Sequence, residues 1–231
     1  MRKLFFGGAV VALLFSTSAF ADPASDLKLL VDNYWANVLK EAPIYASSLG
    51  IDTYADEVGD YTLAALDRRA ASSAEFLKKL HAIPTADLSN AERVEYGIID
   101  RTLRETVAGN ALGQRSINFT TYSSWHQDFA GMANNLPFKN AADFASYNNR
   151  LKQYARVNDE SIAVANVAIK GKYTLPCVSL SGYETSISGL ITADERQSRF
   201  FAPYAGKRPE AVSKEAFDGF ASQAIATIIK L

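Results

Sequence analysis

Apolar side chains recur along this chain at three- and four-residue spacings almost from end to end, and that period confines it to helices. Between Asp22 and Lys40 the stripe is Leu27, Leu30, Val31, Tyr34, Trp35 and Val38, closed by Glu41-Ala42-Pro43 because the residue before a proline avoids the helical region. From Thr62 a second stripe runs through Leu63, Leu66, Ala70, Leu77 and Leu80 and stops near Ile83-Pro84. Ser89-Asn90-Ala91-Glu92 has the pattern of a capping box and opens a third helix bearing Tyr96, Ile99, Leu103 and Val107. Gly109 to Ser124 is polar and reads as a loop, and a short helix follows through Trp125, Phe129 and Met132.

The longest element is expected from Asn140, an N-cap, to about Lys170, with Gly171 ending it. Thr192-Ala193-Asp194-Glu195 offers another capping box, ahead of Phe200 and Phe201. The last helix starts near Pro209 and carries Phe217, Phe220, Ala224, Ile225 and Ile228. Only 118–122 and 173–175 have strand-forming composition, and both are short. An all-α, multi-helix array follows, with helices packed on one another rather than on a sheet.

The N-terminus adds a compartment. Arg2 and Lys3, an apolar run from Leu4 to Phe15 and the small-x-small site Ala19-Phe20-Ala21 form a secretory signal peptide, residues 1–21, cleaved after Ala21. The run is too short to span a bilayer, so residues 22–231 are expected to be periplasmic or secreted, with no membrane attachment after cleavage. Without Arg2 and Lys3 the chain holds 22 basic and 25 acidic residues, a formal charge of −3, which gives no long-range attraction to nucleic acid. Cys177 is the only cysteine, so no internal disulfide forms, and a buried apolar role suits it better than a free or nucleophilic thiol.

Catalytic patterns are sparse. The two histidines, His81 and His126, are isolated, and neither has a second histidine four residues away to start a zinc site. Both read as surface or hydrogen-bonded structural groups. Ser179-Leu180-Ser181-Gly182 and Ser186-Ile187-Ser188-Gly189 lack the glycine two residues before a nucleophilic serine. Ser25-Asp26-Leu27-Lys28 has Ser-x-x-Lys spacing but opens a helix, where serine caps. The pairs Asp56-Glu57, Asp159-Glu160 and Asp194-Glu195 read as solvated faces, and Asn118-Phe119-Thr120 has the glycosylation pattern. The one polar-aromatic cluster placed for ligand contact is Gly182-Tyr183-Glu184, between helices, which makes Tyr183 and Glu184 the candidate cleft residues.

Four stretches, taken in order, resemble a known family: Pro43-Ile44-Tyr45-Ala46-Ser47-Ser48-Leu49-Gly50, Asp60-Tyr61-Thr62-Leu63-Ala64-Ala65-Leu66, Leu136-Pro137-Phe138 through Tyr147 and Leu151, and Leu175-Pro176-Cys177 through Gly182-Tyr183-Glu184. Together they resemble the N-terminal part of the bacterial exported family called domain of unknown function 885. The resemblance implies a zinc metallopeptidase-like protein with a helical fold, whose His-Glu metal motif lies in a C-terminal half beyond Leu231. On that basis this chain is an incomplete half that forms a wall or lid of a peptide cleft and carries no catalytic or metal residue; zinc would belong to the longer protein. The rival expectation is a self-sufficient helical binding module. The closing stripe from Phe217 to Leu231 fits either a helix packed on its own core or one that has lost its partner.

Overall fold

A computed structural model describes residues 22–120 and 122–231; the segment read as a signal peptide, residues 1–21, lies outside the described residues. Ten α-helices and several 3-10 turns make up the architecture, with a single antiparallel bridge, Phe119 to Ser124, as the only β pairing among the described residues. The all-α expectation holds. No described helix is long and apolar enough to cross a membrane.

Helices α1 (Pro23–Glu41), α3 (Leu63–His81) and α4 (Asn90–Ala111) form one unit around Leu27, Leu30, Leu80, Ile83, Leu88 and Leu103. Their ends are set by caps. The Asp22 carboxylate accepts from the Ala24 N–H and the Ser25 hydroxyl, with Pro23 in the first turn, where its missing N–H costs nothing. Thr62 Oγ1 accepts from the Ala65 N–H. In the capping box at α4, Ser89 Oγ accepts from the Glu92 N–H while Glu92 accepts from the Ser89 N–H at 2.7 Å. Between α1 and α3 lies α2 (Pro43–Ser48), begun by the proline that stopped α1.

A second unit surrounds a larger, aromatic core that includes Phe129, Phe144, Tyr147, Leu151, Phe200 and Tyr204. It is built from α5 (Trp125–Gly131), α6 (Ala141–Leu151), α7 (Tyr154–Lys170), α8 (Tyr183–Ser188), α9 (Ala202–Ala205) and α10 (Lys214–Ile228). The element expected to run unbroken from Asn140 to Lys170 is two helices. Asn140 caps α6 as foreseen, with Asp143 completing a capping box, but the chain turns at Lys152-Gln153. Neither residue is a helix breaker. The turn is imposed from outside: the Gln153 amide donates to the Asp56 carbonyl at 2.6 Å, and Arg150 is drawn into the same 43–57 segment, so that α6 packs on α10 and α7 on α5.

Two other boundaries differ from expectation. Asp194, not Thr192, caps the 3-10 turn at 195–197, and Ser213 rather than Pro209 starts α10, its hydroxyl accepting from the Ala216 N–H. Pro209 heads a preceding turn instead, bonded through the Val212 N–H. Helix α10 has a partner in its own chain: Phe217 and Phe220 pack around Phe144, Ala224 is fully buried, and Ile225 and Ile228 are half-buried on the same core. Ile229 and Leu231 remain exposed.

At the end of α7, Gly171 keeps helical dihedrals and Lys172 takes the left-handed conformation, φ 56°, so the side chain that meets the steric penalty is a lysine. Substituting Lys172→Gly is expected to raise stability by about 0.5–1 kcal/mol, since Lys172 is exposed and its side chain makes no recorded hydrogen bond. Equilibrium urea unfolding checks it; an unchanged or lowered midpoint contradicts the strain argument.

Candidate functional site

The two cores are separate, and a cavity of about 1020 Å³ lies between the units that contain them. Helix α1 supplies Tyr34 and Glu41 to its wall, the 58–61 turn supplies Asp60 and Tyr61, α3 supplies Arg69, and α5 supplies Trp125 and Asp128. Gly59 makes the turn: its φ of 93° is strained for any side-chain-bearing residue and brings Asp60 and Tyr61 onto the cavity.

The wall is cross-linked by charge. Glu41 accepts from Arg69 at 3.1 Å and from Arg68 at 3.2 Å, and Arg69 also donates to the Asp60 carbonyl at 2.9 Å. Asp60 Oδ1 accepts from both the N–H and the hydroxyl of Thr62; these bonds, with Arg68 and Arg69 behind them, hold its carboxyl below the usual range against the opposing effect of burial. Glu160, read as part of a solvated pair, is half-buried and accepts from the Tyr61 N–H at 2.9 Å as well as from Arg156. Burial pushes the hydroxyls of Tyr34 and Tyr61 up, so both stay neutral donors.

A second, more apolar cavity of about 650 Å³ lies on the other side of Trp125, whose indole belongs to both walls and whose Nε1 donates to Asn158 at 3.0 Å. Tyr183 lines this second cavity, whereas Glu184 is exposed and belongs to neither wall. The structure therefore separates the two residues that adjacency in sequence had joined.

Beside Tyr183 stands His126, which is buried. Its Nε2 lies 2.9 Å from Ser186 Oγ and 3.1 Å from Ser124 Oγ, and its Nδ1 lies 3.4 Å from the Tyr183 hydroxyl. Both serine protons are already committed, Ser186 to the Tyr183 carbonyl and Ser124 to Gln127 Oε1. Nε2 must then carry the imidazole proton and donate, leaving Nδ1 to accept from Tyr183. In that tautomer neither serine can pass its proton to the ring. Desolvation pushes the His126 pKa down, opposed by Asp128, and keeps the ring neutral.

His81 belongs elsewhere: at the end of α3 it bonds Asp100 of α4 at 2.6 Å. Among the described residues no three His, Cys, Asp or Glu side chains come together to hold a metal ion. With one ring nitrogen of His126 donating to serine and the other bonded to tyrosine, the donors present do not fit zinc.

The remaining residues singled out in the sequence fall away from both cavities. Ser25 bonds Asp22 and Lys28 pairs with Asp32, so the Ser-x-x-Lys spacing brings no contact between them. Cys177 is exposed, not buried as expected, because 171–181 runs over the surface with only Leu175 and Leu180 half-buried. Asn118 turns inward and donates to the Ser161 carbonyl at 2.7 Å.

The family model described as "Bacterial protein of unknown function (DUF885)" matches residues 43–231. The chain belongs to this family. A crystal-structure likeness extends over nearly all of the chain: a protein from Colwellia psychrerythraea described as a putative lipoprotein superposes with a TM-score of 0.81 at 13% identity, covering 91% of this chain and 39% of that one. At that identity the likeness is one of fold, and this chain spans well under half the length of the protein it resembles. No curated protein matches it. Two of the family-like stretches, Pro43 to Gly50 and Asp60 to Leu66, supply Pro43, Tyr45, Asp60 and Tyr61 to the larger cavity, so the sequence signal lay on the site without revealing it as one.

Proposed function

We infer that this member of the domain of unknown function 885 family is the peptide-holding wall of a larger, exported, peptidase-like protein. The observation that carries the reading is the cavity between two separately cored helical units, lined by neutral tyrosine hydroxyls, aromatic rings and a cross-linked set of charges. A peptide backbone needs donors and acceptors spaced along an otherwise apolar trough, and hollows between packed units are where such sites occur. Zinc and the groups that would cleave the bound peptide are assigned to sequence outside this chain.

Titrating the purified chain, with Trp35→Phe leaving Trp125 as its one fluorescent indole, with short neutral peptides, acetylated and amidated, tests the proposal. Saturable binding is expected, with a Kd of roughly 10 μM to 1 mM, and no hydrolysis with or without added zinc. Absence of binding, or turnover by the chain alone, would sink it.

The packing of α10 against Phe144 favours a second reading, a self-sufficient binding module with the same cavity. The two differ in solution: a monomer that unfolds in one cooperative transition supports the module, and a chain that associates through Ile229, Leu231 and the neighbouring apolar cavity supports the wall.

A further inference from the structure

Three carboxylates reach the wall of the larger cavity, and they are not equally neutralised. Glu41 is met by two guanidinium groups, Arg68 and Arg69. Asp60 lies 3.9 Å from Arg68 and spends one oxygen on capping α3 through Thr62. Asp128 receives only the Ser123 hydroxyl, at 3.3 Å, and forms no ion pair among the described residues. The one cation on the wall, Arg69, is committed to Glu41 and to the Asp60 carbonyl.

Trp125 stands one turn before Asp128 on α5, and the same wall carries the rings of Tyr34, Tyr45 and Tyr61. A carboxylate next to aromatic rings attracts a cation twice over, by direct charge and by the negative faces of the rings. An anionic group would meet the same carboxylate as repulsion, with no free guanidinium to receive it.

We propose that the cavity selects ligands bearing a cationic group and that, within the peptide class inferred above, it seats a lysine or arginine side chain between Asp128 and the aromatic rings. This rests on the peptide reading and goes one step beyond it. The recognised group is a primary ammonium or guanidinium, and an acidic side chain at the same position is rejected.

Three blocked tripeptides that differ only at the central residue, lysine, norleucine or glutamate, separate the two levels when titrated into the purified chain by calorimetry. The lysine peptide is expected to bind about tenfold more tightly than the norleucine peptide at low salt, with glutamate weakest and the preference shrinking at 0.5 M salt. The substitution Asp128→Asn should bring the lysine and norleucine affinities within about twofold of each other, and Asp128→Glu should retain the preference. Asp128 is exposed, so neither change threatens the fold. If lysine and norleucine peptides bind saturably but equally, or if the preference survives in Asp128→Asn, the cation inference is overturned and the peptide reading stands. If none of the three binds, both fall.

Discussion

Replacing Arg150 with methionine is expected to cost about 3–5 kcal/mol of stability, enough to leave a chain of this size largely unfolded under mild denaturant. Arg150 is only 2% exposed, yet no carboxylate among the described residues pairs with it. Its guanidinium serves instead as a bracket for backbone: Nε donates to the Glu57 carbonyl at 2.8 Å, and Nη2 to Ser47 Oγ at 2.7 Å and to the Pro43 and Tyr54 carbonyls at 3.2 Å each. Burial brings its pKa down to about 10, against the nearby acids Asp56, Asp52 and Glu57, so it remains charged at physiological pH. Methionine fills much of the volume but leaves three carbonyls and a hydroxyl facing each other without a donor. Lysine keeps the charge, but its single ammonium cannot span a fork of acceptors, and Arg150→Lys should still lose about 2 kcal/mol. Urea unfolding followed by circular dichroism gives both numbers. A loss under 1 kcal/mol for Arg150→Met would mean that water replaces the bracket.

The second large effect is expected at Phe144, where truncation to alanine should cost about 3–5 kcal/mol. Its ring is 1% exposed and has Phe138 at 5.2 Å, Phe217 at 5.3 Å, Tyr204 at 5.4 Å and Phe220 at 6.3 Å between centroids. The cavity left by truncation opens where α6 meets α10, and the polar bonds across that junction depend on the same spacing. Asn148 donates to the Phe220 carbonyl at 3.0 Å and accepts from the Tyr204 hydroxyl at 2.7 Å. Phe144→Leu keeps most of the volume and should lose only about 1–1.5 kcal/mol. Amide hydrogen exchange should show α10 losing protection first in Phe144→Ala; uniform loss over the whole chain would contradict this account.

These two residues show where reading the sequence succeeds and where it stops. Phe144 lies on a stripe visible from spacing alone, and so do Leu27, Leu80 and Leu103, because a helix repeats its buried face within one segment. Caps were legible for the same local reason: Ser89 with Glu92 and Asn140 each satisfy N–H groups within three residues. The turn at Lys152-Gln153 was not, since its cause is a bond to the Asp56 carbonyl 97 residues earlier. Arg150 likewise looks like any solvated arginine until the 43–57 segment folds over it.

The candidate site divides in the same way. Tyr183 drew attention through the glycine before it, and the structure gives it a neighbour, His126, that lies 57 residues away and carried no signal of its own. The larger cavity escaped notice because Tyr34, Glu41, Asp60, Arg69 and Asp128 come from four separate segments, each of them ordinary in composition.

Trp125 lends its indole to both hollows and anchors it through Nε1 to Asn158. The ring is a partition shared by two rooms, held edge-on to the imidazole next in sequence. A ligand in either hollow therefore meets the same indole.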